Sequence, residues 1–163
     1  KMLKIALKSK PSFVCIVPEK RKELTTEGGL NLDKKNFKIK KIIYYLKKKG
    51  IRTSLFIEPR IQDIRNAKKL DADCVELHTG KFCNLYNLNK KFINEFVKIK
   101  KVAKYANTIG LEVHAGHGLT YQTAKMIKKI KNIKELNIGH FIISQAIFVG
   151  LKQAILNFKS ILK

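Results

Sequence analysis

The chain has no tryptophan, three prolines, three cysteines and only four arginines among 163 residues, and each scarcity removes a class of protein. Cys15, Cys74 and Cys83 are odd in number and lack zinc-ligand spacing, which argues against a disulfide framework and a structural metal and favours a reducing, cytoplasmic setting. Thiol nucleophiles are equally unsupported, because Cys15 and Cys74 fall in strand-like runs with no adjacent cation to hold a thiolate. No run approaches the roughly 20 apolar residues of a membrane span and the first residues do not read as a signal peptide, so no membrane partner is expected. Acidic residues are also few, 12 against 35 basic ones, for a net charge of +23. Such an excess raises nucleic acid as a partner. Yet arginine stands only at Arg21, Arg52, Arg60 and Arg65, and lysine is dispersed over the polar faces of nearly every predicted helix. A specific nucleic-acid surface would cluster Arg and Lys among aromatics, so the charge reads as a solvated lysine surface.

What is present is an alternation of strand and helix signals without a Pro/Gly/Ser-rich linker, which predicts one domain over residues 1–163. Met2 to Lys8 reads as the end of an amphipathic helix that Pro11 bars from continuing, and Phe13 to Val17 follows as a β-branched strand. After a long loop holding Thr25-Thr26-Glu27-Gly28-Gly29, Asp33 is placed to cap a helix through Phe37, Ile39, Ile42, Ile43 and Leu46, with Gly50 at its left-handed end. Thr53 to Ile57 is the second strand, Ile61 to Leu70 a short helix, and Ala72 to Leu77 the third strand. A single long helix through Phe92, Phe96, Val102 and Ala106 runs to Gly110, and Leu111 to Ala115 is the fourth strand. Ala124, Ile127 and Ile130 mark the next helix, Leu136 to Ile138 the last strand, and Ile143 to Leu162 a final helix or pair.

Strands alternating with helices form a parallel sheet, because parallel neighbours need crossovers, and the five strands are expected to pair in sequence order. Leu55 and Ile57 alternate with Ser54 and Glu58, Val75 and Leu77 with Glu76 and His78, Val113 with Glu112 and His114, and Leu136 with Glu135 and Asn137. A doubly wound sheet would be apolar on both faces. The polar face here predicts the hydrated or substrate-filled interior of a barrel, since unpaired buried carboxylates cost too much for dry core. Five strands do not close a (β/α)8 TIM barrel, which typically takes about 250 residues. About three strands are therefore expected before Lys1, and the chain reads as a barrel truncated to five parallel β/α units.

All four histidines, His78, His114, His117 and His140, fall at or just beyond the carboxyl end of a predicted strand. In such a barrel that end carries the active site, and the loops after the last two strands commonly hold phosphate. Gly116-His117-Gly118 lets backbone approach a ligand while presenting an imidazole that titrates near neutrality. Gly139-His140 precedes a stretch where a helix can begin and aim its amides at an anion, although a tight turn explains it equally well. Glu76, mid-strand between apolar neighbours, is directed inward, where it either exchanges protons with a raised pKa, stabilises a developing cation, or pairs structurally with a lysine. Thr25 and Thr26 ahead of two glycines suit a phosphate loop. His114 and His117 as zinc ligands rank lower, since no His-x-His or helix-borne pair accompanies them.

The segments Val17-Pro18-Glu19-Lys20-Arg21-Lys22-Glu23-Leu24-Thr25-Thr26-Glu27-Gly28-Gly29-Leu30, Ser54-Leu55-Phe56-Ile57-Glu58 and Glu76-Leu77-His78-Thr79-Gly80 together resemble the pyridoxine 5′-phosphate synthase family. So do His114-Ala115-Gly116-His117-Gly118-Leu119 and Glu135-Leu136-Asn137-Ile138-Gly139-His140. The resemblance implies a (β/α)8 barrel of which residues 1–163 carry strands four to eight. It further implies a transferase that condenses 1-deoxy-D-xylulose 5-phosphate with 3-amino-2-oxopropyl phosphate in vitamin B6 biosynthesis, as a homo-oligomer and with no metal or organic cofactor. Carried over by motif, His117 would be the proton donor and Glu76 the transition-state stabiliser. Thr25 would bind the deoxyxylulose phosphate, and Gly118, Gly139 and His140 the aminooxopropyl phosphate. The family's first three strands, with two proton acceptors, have no counterpart here. A degenerate non-catalytic fragment is the leading alternative, ahead of another phosphate-binding barrel enzyme or a basic nucleic-acid-binding protein.

Overall fold

The structure, a computed structural model, describes residues 2–18, 28–33 and 36–162. Its elements run α1 (Met2–Ser9), β1 (Phe13–Ile16), α2 (Phe37–Lys47), β2 (Arg52–Ile57), α3 (Ile61–Lys69), β3 (Cys74–His78), α4 (Gly80–Asn87), α5 (Ile93–Thr108), β4 (Glu112–Gly116), α6 (Tyr121–Ile127), β5 (Ile133–Asn137), α7 (His140–Val149) and α8 (Leu151–Leu162). All five strands lie in one parallel sheet in sequence order, as the alternation predicted. Among the described residues β1 and β5 are the sheet's edges.

The two sheet faces divide as the period-2 pattern required. Leu55, Ile57, Val75, Leu77, Val113 and Ala115 turn outward and are fully buried against Ile64, Ala67, Ile99, Ala103 and Ile127 of the surrounding helices. The register aligns Phe56, Glu76, His114 and Glu135 on the opposite face, one residue from each of four neighbouring strands. That face is concave. Neighbouring parallel strands are about 4.8 Å apart, so strands two apart in a flat sheet are separated by roughly 10 Å. Arg52 on β2 donates to Glu112 on β4 at 2.9 Å, and the ring centroids of Phe13 on β1 and His114 on β4, three strands apart, are only 5.7 Å apart. Only inward curvature, the arc of a barrel wall, brings these side chains together.

Local signals were obeyed unevenly. Gly50 and Gly110 take left-handed conformations (φ 69° and 74°) just past α2 and α5, as helix-terminating glycines should. Asp33 does not cap α2, which starts at Phe37 after Asn36; its amide instead takes the Asn31 side-chain oxygen in a local turn. Between β3 and β4 the expected single helix is two, because α4 precedes α5 and the chain turns at Asn89 with φ 51°. The last strand is shifted toward the amino end, Ile133–Asn137 rather than 136–138, where a bulge at Val113/His114 skips Lys134. On α7, Ile143, Ile147 and Phe148 remain exposed.

One buried ion pair fixes how α3 leaves the sheet. Asp63, in the first turn of α3, has a side chain fully removed from solvent and accepts from Arg60 Nε at 2.7 Å and Nη2 at 2.9 Å. Burial pushes its carboxyl above the ordinary range while the guanidinium pulls it back. Arg60→Ala is expected to lower the unfolding free energy by about 1–3 kcal/mol, less than for a fully dry pair because Arg60 is itself half exposed. Urea denaturation at neutral pH measures it, and an unchanged midpoint would contradict the assigned role.

Candidate active site

The concave face gathers three polar groups, stacked from the amino to the carboxyl ends of the strands. Lowest is a network around Arg52, whose Nη2 lies 3.3 Å from Cys74 Sγ and 2.9 Å from Glu112 Oε2. Glu112 Oε1 in turn bonds His114 Nε2 at 2.8 Å. Hydrogen bonds from His114 and Arg52 hold the Glu112 carboxyl below its usual range. Cys74, Glu112 and His114 lie within 4.8 Å of one another, close enough to invite a metal. The three are already engaged, because the Arg52 guanidinium neutralises the Glu112 carboxylate and lies against the Cys74 sulfur, and burial pushes that thiol up to about 12. His114 is held in this network by Glu112, and among the described residues the cluster does not include His117.

Above that network sits Glu76, at 8% exposure. Asn137 on β5 donates to its Oε2 at 2.7 Å, and Cys15 on β1 donates to the same oxygen at 3.4 Å. Burial raises its carboxyl above the ordinary carboxylate value, and the donors from Asn137 and Cys15 pull it down. The nearby carboxyls Glu58 and Glu112 are committed elsewhere, Glu58 to His78 and Glu112 to His114 and Arg52. Glycine is required at Gly116, since a Cβ there would collide with the Glu76 carboxylate.

The third group stands at the carboxyl ends. His117 follows β4 in a left-handed conformation, φ 76°, as does Gly118, φ 76°. For a histidine that backbone is costly and persists only where surroundings enforce it. Thr79 supplies the enforcement: its hydroxyl donates to Gly116 O at 2.8 Å and His117 O at 2.7 Å, and its amide donates to Gly116 O at 2.9 Å. His78, just before Thr79, packs at a tilt against His117 with ring centroids 4.7 Å apart and bonds Glu58 Oε1 through Nδ1 at 2.9 Å. The Glu58 oxygen also accepts the Gly29 amide at 3.0 Å. The bond from His78 is the chief reason the Glu58 carboxyl lies below its ordinary value.

A cleft of about 590 Å³ opens over this face, lined by Glu76, His117, Gly118, Asn137, Gly139 and His140. Gly139 caps α7 without a side-chain hydrogen bond, and the helix begins at His140, so its first amides point at the cleft. A Cβ at Gly139 would meet nothing within 4 Å, so the turn is open toward any ligand. Of the residues singled out in the sequence, Glu76, His117, Gly118, Gly139 and His140 therefore converge on one cavity. Thr25 and Thr26 lie outside the described residues. Asn137, Thr79 and the Glu58–His78 pair escaped notice as working parts. Alternation placed Asn137 and His78 on the inner face, but their partners lie on other strands, and only the curvature of the sheet decides which meet.

The profile of the pyridoxal phosphate biosynthesis protein PdxJ family matches residues 1–163. A pyridoxine 5′-phosphate synthase of Pelagibacter ubique is 58% identical over 160 residues, covering 98% of this chain and 67% of the relative. Those of Zymomonas mobilis and of a Sulfurihydrogenibium species are 49% and 48% identical over 94% and 99% of this chain. The chain spans 59% and 65% of their respective lengths, about two thirds or less of these relatives. Among solved structures, 3-hexulose-6-phosphate synthase from Salmonella typhimurium superposes with a TM-score of 0.66 at 15% identity over 99% of this chain and 66% of that one, a likeness of fold alone. A profile match along the entire chain and relatives near half identity or above agree: the chain belongs to the PdxJ family of pyridoxal phosphate biosynthesis proteins.

Proposed function

We propose that this chain carries strands four to eight of the barrel of a pyridoxine 5′-phosphate synthase, which joins 1-deoxy-D-xylulose 5-phosphate to 3-amino-2-oxopropyl phosphate without a metal or organic cofactor. The observation that supports this reading best is the convergence of Glu76, His117 and the uncapped start of α7 on one cleft. A substrate with a phosphate at one end and reacting carbons at the other needs that combination. Amides at a helix start bind the phosphate, and a proton donor and a carboxylate then stand within reach of the carbon skeleton.

In this reading Gly118, Gly139 and His140 hold the aminooxopropyl phosphate, and Thr25 the deoxyxylulose phosphate. His117 donates a proton to a substrate oxygen as it leaves. Glu76, held in place by its Asn137 donor, stabilises the positive charge that develops as the carbons join. The reaction is proposed to run in the cytoplasm, in a homo-oligomer, in keeping with three unpaired cysteines. Dispersed lysines would give nucleic acid only weak, sequence-indifferent binding.

The test joins the chain to the further segment by which its relatives are longer and measures pyridoxine 5′-phosphate formed from the two substrates. His117→Asn keeps size and hydrogen bonding but loses the titrating proton, so kcat is expected to fall by about two to four orders of magnitude. Gly139→Val, whose side chain enters open cleft rather than protein, should instead raise KM for the aminooxopropyl phosphate with a smaller effect on kcat. An unimpaired His117→Asn enzyme overturns the role given to that histidine. No turnover in the completed protein points to the non-catalytic alternative.

A further inference from the structure

His78 presents an unexplained atom. Its side chain is 9% exposed and its Nδ1 is bonded to Glu58, yet its Nε2 is buried with no hydrogen-bond partner among the described residues. An orphaned buried ring nitrogen is costly enough to require a reason. The tautomer follows from Glu58: an ionised carboxylate only accepts, so the His78 proton is on Nδ1 and the bare Nε2 lone pair faces away from Glu58. Beside it stands the His117 ring, the two ring centroids 4.7 Å apart. A Cβ built on Gly80 would lie 2.8 Å from His78 Nε2 and 2.8 Å from His117 Cδ2, so both atoms crowd the same point above that glycine. A half-turn of the His117 ring about Cβ–Cγ exchanges Cδ2 for Nδ1. It brings an N–H to the His78 lone pair and leaves Nε2 on the far edge of the ring.

We propose that Glu58 and His78 form a positioning relay behind His117, in which Glu58 fixes the His78 tautomer and His78 Nε2 accepts the Nδ1–H of His117, aiming the His117 Nε2 at the substrate. This rests on the reading of His117 as the proton donor and adds what sets its tautomer and its proton affinity. The backbone supports the arrangement from both sides. Thr79, the residue after His78, pins the carbonyls of Gly116 and His117, so the two rings are held on one rigid unit. Glycine at position 80 is what lets the rings meet, and the amide of Gly29 anchors Glu58.

The charge consequence has a definite sign. A carboxylate at the end of the chain favours the imidazolium of His117, so removing it should lower the pKa of His117 and bring forward, to lower pH, the loss of a proton-donating role. Other charges facing the relay are Lys98 on α5 and Lys81 on α4, with Lys81 itself paired to Glu95 at 2.6 Å, and the Arg60–Asp63 pair at the start of α3, all of which interact with Glu58. The Cys83 thiol lies 3.9 Å from His117 O, and Glu76 and His140 face His117 across the cleft. Glu58→Gln removes the partner charge of the flanking lysines as well, and a cation left uncompensated near the relay lowers the His117 pKa in the same direction.

The experiment is nitrogen-15 NMR of the histidine side chains in the full chain, which needs no turnover. The wild type is expected to show His78 protonated at Nδ1 and bare at Nε2, and His117 protonated at Nδ1. In Glu58→Gln the His117 titration midpoint should fall by about 0.5–1 pH unit, the size of a nearby charge damped by distance. In His78→Phe, which keeps the ring packing, the midpoint should fall likewise and His117 should lose its single tautomer. Glu58→Gln alone carries the test if the phenylalanine variant does not fold. His78 bare at Nδ1, or a His117 midpoint unmoved by Glu58→Gln, overturns the proposal. In the completed enzyme the alkaline limb of kcat should move to lower pH in Glu58→Gln, a shift that a merely structural role would not produce. A shifted midpoint in an inactive protein would sink the catalytic reading and leave the relay standing.

Discussion

Glu76 reaches both edges of the sheet from its middle strand. Its Oε2 accepts from Cys15 on β1 and from Asn137 on β5, each 61 residues away in sequence, although a whole strand, β2 or β4, lies between in each case. A flat sheet holds such strands roughly 10 Å apart. The carboxylate is therefore the point toward which the wall bends, and much of the inner face is arranged to satisfy it. The arrangement is costly to disturb, since a buried carboxyl deprived of its donors bears the desolvation penalty alone. Gly116 is a glycine because this carboxylate fills the space where a side chain would begin.

From that constraint the cleft follows. Curvature brings the carboxyl ends of β3, β4 and β5 together, so the turn after β4 and the start of α7 stand over the same floor. The strain of His117 is sustained by Thr79, whose hydroxyl spans two carbonyls at once. Rigid support of an unfavourable backbone beside a polar cavity is the signature of a site whose side chain must point one way. Phosphate bound at the start of α7, as proposed, would cost the fold little, because helix amides left without caps need a partner in any case.

How much of this was legible in the sequence can be judged element by element. Period-2 alternation in β2, β3 and β4 is strong, with apolar residues facing helices and Glu76, His78 and His114 facing inward, so the parallel order and the polar interior could both be read. Histidines at the strand ends and the two Gly-His turns located the cleft. Helix α4 could not be read, because Gly80-Lys81-Phe82-Cys83-Asn84 offers no cap and its eight residues are held by packing of Phe82 against Phe92 and Phe96 rather than by propensity. Asp33 misled, since a capping residue acts only where the chain turns into a helix, and here that happens at Phe37. The bulge that shifts β5 depends on its neighbour and leaves no local trace. Partners such as Asn137 for Glu76 and Glu58 for His78 are set by curvature, a property of the whole sheet.

The account stands most directly on the state of one group, the Glu76 carboxyl. Its titration can be followed by carbon-13 NMR of the side-chain carboxyl carbon, assigned with Glu76→Gln. The midpoint is predicted to lie above the ordinary carboxylate value, because burial outweighs its donors. It should rise further in Asn137→Leu, since the lost hydrogen bond favoured the charged form. An ordinary midpoint that does not respond to Asn137→Leu would mean that the carboxyl is neither buried nor held across the sheet, and the concave polar floor described here would not exist.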